Sequence, residues 1–153
     1  PILGYNYGAN NWDRVKRTLN IGFVVGIFVT TMGLIVAELI PREISSLFAT
    51  DATLIDISTT GFRISFMFFA VIGGQVVIQN FFQAIGKPGI SIFLSLTRQL
   101  IFLIPTLLIF PKLWGVEGVW TSLAVSDLLA FIVAIITLII IMRRKNKNLI
   151  QRL

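Results

Sequence analysis

The 153-residue sequence contains no cysteine and no histidine. Disulfides, thiolate nucleophiles and the usual zinc or haem ligand sets are therefore excluded within this stretch. Acidic residues are scarce, seven against 13 Lys and Arg, so any chemistry here must use a few carboxylates, amides, arginines or backbone groups. No low-complexity segment, internal repeat, phosphate-cradling loop or nucleophile–base arrangement is present, and an enzyme is not expected. No cofactor is expected either. What the chain has in excess is apolar surface: 56% of its residues are hydrophobic and its mean hydropathy is +0.88, whereas soluble domains carry roughly 45–50% apolar residues. Such a composition belongs in a lipid bilayer.

Four apolar stretches are long enough to cross a hydrocarbon core of about 30 Å. They cover residues 19–40, 57–84, 90–110 and 118–142, and none has the short core and cleavage site of a secretory signal. The fold expected is all-α, a polytopic membrane helical bundle. Residues 1–18 read as a cytoplasmic turn and 143–153 as a cytoplasmic tail. Nine of the 13 basic residues fall on one side of such a topology: Arg14, Lys16, Arg17, Lys87, Arg143, Arg144, Lys145, Lys147 and Arg152. The opposite loops hold only Arg42 and Lys112. By the positive-inside rule both ends lie in the cytoplasm. The net charge of +6 and pI near 10.3 are thus explained by topology, and no nucleic-acid partner is implied, since that footprint is a basic stripe on a folded polar surface.

The local signals are specific enough to place the connections. Gly4, Gly8 and the Asn10-Asn11 pair are expected to break a helix before the basic run, with Trp12 at the membrane interface. Gly22 and Gly26 form a GxxxG pattern suited to close packing within the bundle. In the outer segment after Pro41, Ile44, Leu47 and Phe48 recur at helical spacing and should lie flat at the interface. The sequence AIGKPG, with Gly86 to cap one helix and Pro88 to start the next, makes the second and third spans antiparallel neighbours. Pro105 is expected to bend the third span.

Charge inside the bilayer costs roughly 2.5–3.5 kcal/mol per group on insertion scales, so each such group needs a partner or water. Arg98 lies about 12 Å from the cytoplasmic end of its span and Asp127 about 13 Å from the outer end of the next. Their depths differ by about 5 Å, which predicts a salt bridge between them. Ser91 and Ser95 share a predicted face with Arg98. In the second span Gln75, Gln79 and Gln83 recur every four residues with Asn80 beside them. Lipid cannot satisfy these amides, so they point either into a wet cavity or toward neighbouring helices as hydrogen-bond partners. Glu38, Glu43, Asp51, Asp56 and Glu117 read as solvated acids near the outer face.

PILGYNYGA followed by DRVKR resembles the cytoplasmic end of the eighth helix in the multidrug and toxin extrusion (MATE) family of secondary transporters. The residues concerned are Pro1, Gly4, Tyr5, Asn6, Tyr7, Gly8 and Ala9. FFQAIGKPG resembles that family's turn between helices ten and eleven, and RQLIFLIP with WGVEGVWTSLAVSD resembles its eleventh and twelfth helices. The resemblance implies that the four spans form most of the C-terminal lobe of a twelve-helix transporter. Pro1 would then sit in the last turn of a truncated helix, with the N-terminal lobe upstream. It further implies residence in the plasma (inner) membrane and export of cationic amphipathic drugs in exchange for sodium or protons. The Gln75, Gln79, Gln83 and Asn80 face, with Met67, Phe68 and Phe69 nearer the outer end, would line the central substrate cavity. Span two departs from some family members in having no carboxylate between Phe62 and Lys87. The coupling-ion site is therefore expected outside this stretch. The alternatives are a lipid-linked oligosaccharide flippase, for which Arg63 and Arg98 supply few cations, and a non-transporting membrane subunit.

Overall fold

The computed structural model describes residues 1–150, with side chains described through Arg143. All its regular elements are helical: α1 (Ile2–Gly8), α2 (Trp12–Leu39), α3 (Pro41–Ser46), α4 (Ala52–Phe66), α5 (Phe69–Ala84), α6 (Pro88–Leu96), a π-helical stretch (Thr97–Leu103), α7 (Ile104–Trp114) and α8 (Val116–Ile150). Three continuous helical rods are long and apolar enough to cross a membrane, Trp12–Leu39, Pro88–Trp114 and Val116–Arg143. The pair α4 and α5 makes a fourth if taken as one bent span.

The breaks have local causes. Gly4 and Gly8 do not break the first helix, because α1 runs across both. The chain turns instead at Asn10, whose φ of 55° is left-handed, a conformation that asparagine tolerates better than most residues. Asn11 then caps α2 by accepting from the Arg14 N–H at 3.4 Å. At its far end α2 stops because Pro41 disfavours helical geometry at Ile40, which takes φ −130°, and Pro41 itself begins α3. The segment after Ile40 forms that six-residue helix, after which Leu47 and Phe48 stand exposed.

The tight turn after α5 is a Schellman motif: the Lys87 N–H donates to the Phe82 carbonyl at 2.9 Å and the Gly86 N–H to Gln83 at 3.1 Å. Gly86 supplies the required positive φ of 74°. Pro88 then occupies the first turn of α6, where a missing N–H costs nothing.

Two spans differ from the sequence expectation. The second is broken by 48° between Phe66 and Phe69, with neither proline nor glycine at the break. Both halves pack against α2 and α8. On the α4 side, Gly61 abuts the Trp120 indole of α8; on the α5 side, Gly73 abuts the backbone of Gly26 in α2. The third span, in contrast, is helical without a break through Pro105. Pro105 lacks an N–H and its ring crowds the carbonyl one turn earlier, and the chain absorbs this by π winding through Thr97–Leu103. The helix ends also extend past the apolar limits: α2 begins at Trp12 and α8 continues without a break through the basic tail to Ile150.

Packing is by small residues, as expected where lipid removes the hydrophobic drive between helices. Along α2, Gly22 faces Val77, Gly26 faces the Gly73 carbonyl and Gly33 faces Phe69. The GxxxG pair therefore serves the α2–α5 contact within the chain. A cluster of Val15, Leu19, Ile78, Phe81, Phe82, Ile85, Leu94, Ala134 and Leu138 joins α2, α5, α6 and α8 toward the α5–α6 turn.

Candidate functional site

Arg98 is the second residue of the π-helical stretch and Asp127 sits about a third of the way along α8. The Arg98 Nε–H donates to Asp127 Oδ1 at 2.6 Å. The pair is asymmetric, with 9% of the Asp127 side chain exposed against 39% for Arg98. Around Asp127, α8 buries Ser122 and Ser126, whose hydroxyls donate to the Gly118 and Ser122 carbonyls of their own helix. Thr97 is buried in the same way, donating to Phe93 at 2.8 Å. Ser91 is buried beside Leu94 and Thr97, whereas Ser95 is exposed. The buried positions of this stretch are 91, 94 and 97, and burial changes along the side that carries Ser91, Ser95 and Arg98.

The three glutamines lie on one side of α5 but meet different surroundings. Gln75 is 2% exposed, and neither Nε2 nor Oε1 has a hydrogen-bond partner among the described residues. It is sealed between helices and lines neither of the two grooves described here. Gln79 is half-buried, and Asn80 and Gln83 are exposed. The Gln83 Nε2–H donates to Ser91 Oγ at 3.2 Å, tying α5 to α6. Asn80 and Gln83 line a groove of about 600 Å³ with Pro1, Ile2, Leu3, Thr18 and Ala84. No charged side chain lines it. Met67 is exposed and Phe68 half-buried at the break in the second span, well removed from this groove along α5. Phe69 stacks with Phe66 at a centroid distance of 4.6 Å.

Of the turn motif only its start, Pro1 with Ile2 and Leu3, lines that groove. Gly4 comes so close to the end of α5 that a Cβ would lie 2.7 Å from the Ala84 carbonyl oxygen. Asn6 is buried and its Nδ2–H donates to the Ile2 carbonyl at 2.8 Å. Tyr5 is exposed, and Tyr7 meets Trp12 edge-on at 5.3 Å. Gly8 has open space around it, and Ala9 caps the helix.

At the opposite end the sequence reading missed two ion pairs. Glu38 and Asp56 are not simply solvated: Arg63 Nε lies 3.8 Å from Glu38 and Arg42 Nη1 lies 3.1 Å from Asp56. Nothing in the spacing pairs residues that far apart: the return of α4 beside α2 brings Arg63 to Glu38, and its packing on α3 brings Asp56 to Arg42. A second groove of about 410 Å³ lies there, lined by Phe62, Phe66, Trp120 and Leu123 with Ser58, Gly61 and Ser65. Among the described residues no group of three or more His, Cys, Asp or Glu could hold a metal ion.

Comparison with known proteins matches these features to one group. The chain is 23% identical over 133 residues to the multidrug export protein MepA of Staphylococcus haemolyticus and 21% identical over 129 residues to an FAD transporter of Shewanella oneidensis. The alignments cover 86% and 84% of this chain but 29% and 28% of those relatives. A solved structure of the MATE multidrug transporter DinF-BH superposes with a TM-score of 0.83 at 36% identity, covering 90% of this chain and 31% of that one. The chain thus spans under a third of the length of the proteins it matches. The MatE family model matches residues 1–108, and the chain belongs to that family, the multidrug and toxin extrusion transporters.

Proposed function

We propose that this chain forms most of the C-terminal lobe of a secondary antiporter that exports cationic or amphipathic small molecules in exchange for sodium or protons. The observation that carries the reading is the groove between α1, α2 and α5. Its lining is apolar apart from neutral amides and a hydroxyl, and it holds no charged side chain. Such a wall accepts a bulky organic cation without a charge clash, while Asn80 and Gln83 offer orientable hydrogen bonds. The multidrug exporters among the relatives support the same substrate class. A lipid-linked oligosaccharide or a dinucleotide such as FAD carries a diphosphate and calls for cationic side chains in its site, which this groove lacks.

In this reading Gln79, Asn80 and Gln83, with Met67 and Phe68 further out, belong to the wall of a central cavity completed by the other lobe. Gln75 belongs to the packing behind that wall. The coupling ion binds elsewhere: span two has no carboxylate, and Asp127 is engaged by Arg98. The basic asymmetry supports an inner-membrane orientation with both ends of the chain in the cytoplasm.

The test is the paired substitution Asn80→Leu with Gln83→Leu in the complete transporter, with export of several cationic dyes measured at matched expression. A changed order of dye preference is expected. A uniform fall that tracks protein amount would sink the cavity assignment.

A further inference from the structure

The two ends of the molecule treat their charges differently. At the α3–α4 end, Arg42 and Arg63 are both ion-paired, and acids there outnumber bases. At the other end the described residues hold five cations against a single acid, Asp13. These cations, Arg14, Lys16, Arg17, Lys87 and Arg143, are all exposed, and none forms an ion pair among the described residues.

Packing gathers these cations onto one rim. Val15, fully buried, lies between Arg14 and Lys16. Ile85 is buried two residues before Lys87, and Met142 packs against the same cluster immediately before Arg143. Because Val15, Ile85 and Met142 belong to one cluster, the cations flanking them ring the end of a single bundle. Trp12 packs against that cluster too, at the level where membrane-protein tryptophans meet headgroups.

We infer that this rim is a binding surface for anionic phospholipid headgroups. The positive-inside bias explains how many cations lie at this end when the chain inserts. It does not give them partners in the folded protein. Exposed lysine and arginine at the boundary of a spanning helix extend their apolar stems along the bilayer and place the charge at phosphate depth. The cytoplasmic leaflet supplies the counter-charge there, with about a fivefold gain in association per basic residue near the surface. The partner is identified as lipid, rather than a soluble polyanion, by continuity: every cation of the rim adjoins a membrane-spanning helix or the turn between two. The inference rests on the orientation proposed above.

Trp12 provides the reporter. The complete transporter, reduced to Trp12 as its only tryptophan and retaining dye transport, is reconstituted with brominated phosphatidylglycerol or with brominated phosphatidylcholine at equal fraction. Anionic lipid is expected to quench Trp12 fluorescence several-fold more effectively. The combined variant Arg14→Gln, Lys16→Gln, Arg17→Gln and Lys87→Gln should bring the two lipids level, as should high salt, which screens exposed charges. Equal quenching by both lipids in the parent protein, or a preference that survives in the fourfold variant, overturns the inference. Orientation is read separately by labelling Thr53→Cys with an impermeant thiol reagent in intact cells. If Thr53→Cys is spared while phosphatidylglycerol still prefers Trp12, the orientation reading fails and the lipid site stands.

Discussion

Removing one member of the Arg98–Asp127 pair should have unequal consequences depending on which member is removed, and the burial of the two side chains sets the difference. Arg98→Ala leaves a carboxylate that is 9% exposed without its only described partner. An uncompensated charge at that depth costs about 3–5 kcal/mol, the usual penalty for breaking a buried ion pair from one side. Asp127→Ala leaves an arginine that is 39% exposed on a long flexible stem, about 12 Å from the end of its span at the α5–α6 turn. That guanidinium can turn toward the interface, so the loss approaches one charge-assisted hydrogen bond, about 2 kcal/mol. Arg98→Ala is therefore the worse variant, and Asp127→Asn is milder than either. The double alanine variant should be at least about 1 kcal/mol more stable than the sum of the singles predicts, because the second removal eliminates the stranded charge. The charge exchange Arg98→Asp with Asp127→Arg should recover part of the loss. The assay is thermal unfolding of the full-length transporter in one detergent, with monodisperse yield as a second readout. Equal penalties for the two singles, adding without coupling in the double variant, would refute the reasoning.

Two further predictions follow from the packing. Gly73→Ala places a methyl group against the backbone of Gly26, which cannot move aside cheaply, and should lower stability by about 1–3 kcal/mol; Gly89→Ala, with nothing near its Cβ, should be neutral or stabilising by about 0.5 kcal/mol. Gln75→Leu removes an amide that is buried without a described partner and should raise the unfolding midpoint, since such a group costs about 1–3 kcal/mol. A lower midpoint for Gln75→Leu would mean that the amide is held by a partner after all.

Hydropathy made the helical class and the bilayer legible, because twenty apolar residues in a row have few other uses. The turn at Gly86 and Pro88 was legible for a similar reason, since its backbone needs those two residues. The cost of charge within the membrane pointed Arg98 and Asp127 toward each other from depth alone. The break between Phe66 and Phe69 carried no such mark. α4 and α5 each pack against both α2 and α8, and neither proline nor glycine stands at the break. The π winding before Pro105 was hidden behind a proline that equally well permits a kink. The glutamines illustrate a limit of periodicity: a spacing of four fixes the side of the helix, but what lies beside it changes along α5. The same side is sealed at Gln75 and open at Gln83. Glu38 and Arg63 were read singly because their meeting depends on two helices returning side by side.

Whether this lobe belongs to an ion-coupled exporter of organic cations is tested most directly in proteoliposomes. The complete transporter is reconstituted, a sodium or a proton gradient is imposed across the membrane, and a fluorescent cationic dye is followed. Dye movement against the imposed ion flow, abolished when the gradient is collapsed and reordered among dyes by Asn80→Leu with Gln83→Leu, is the predicted result. A protein that moves no dye on either gradient but translocates a lipid-linked oligosaccharide would contradict it.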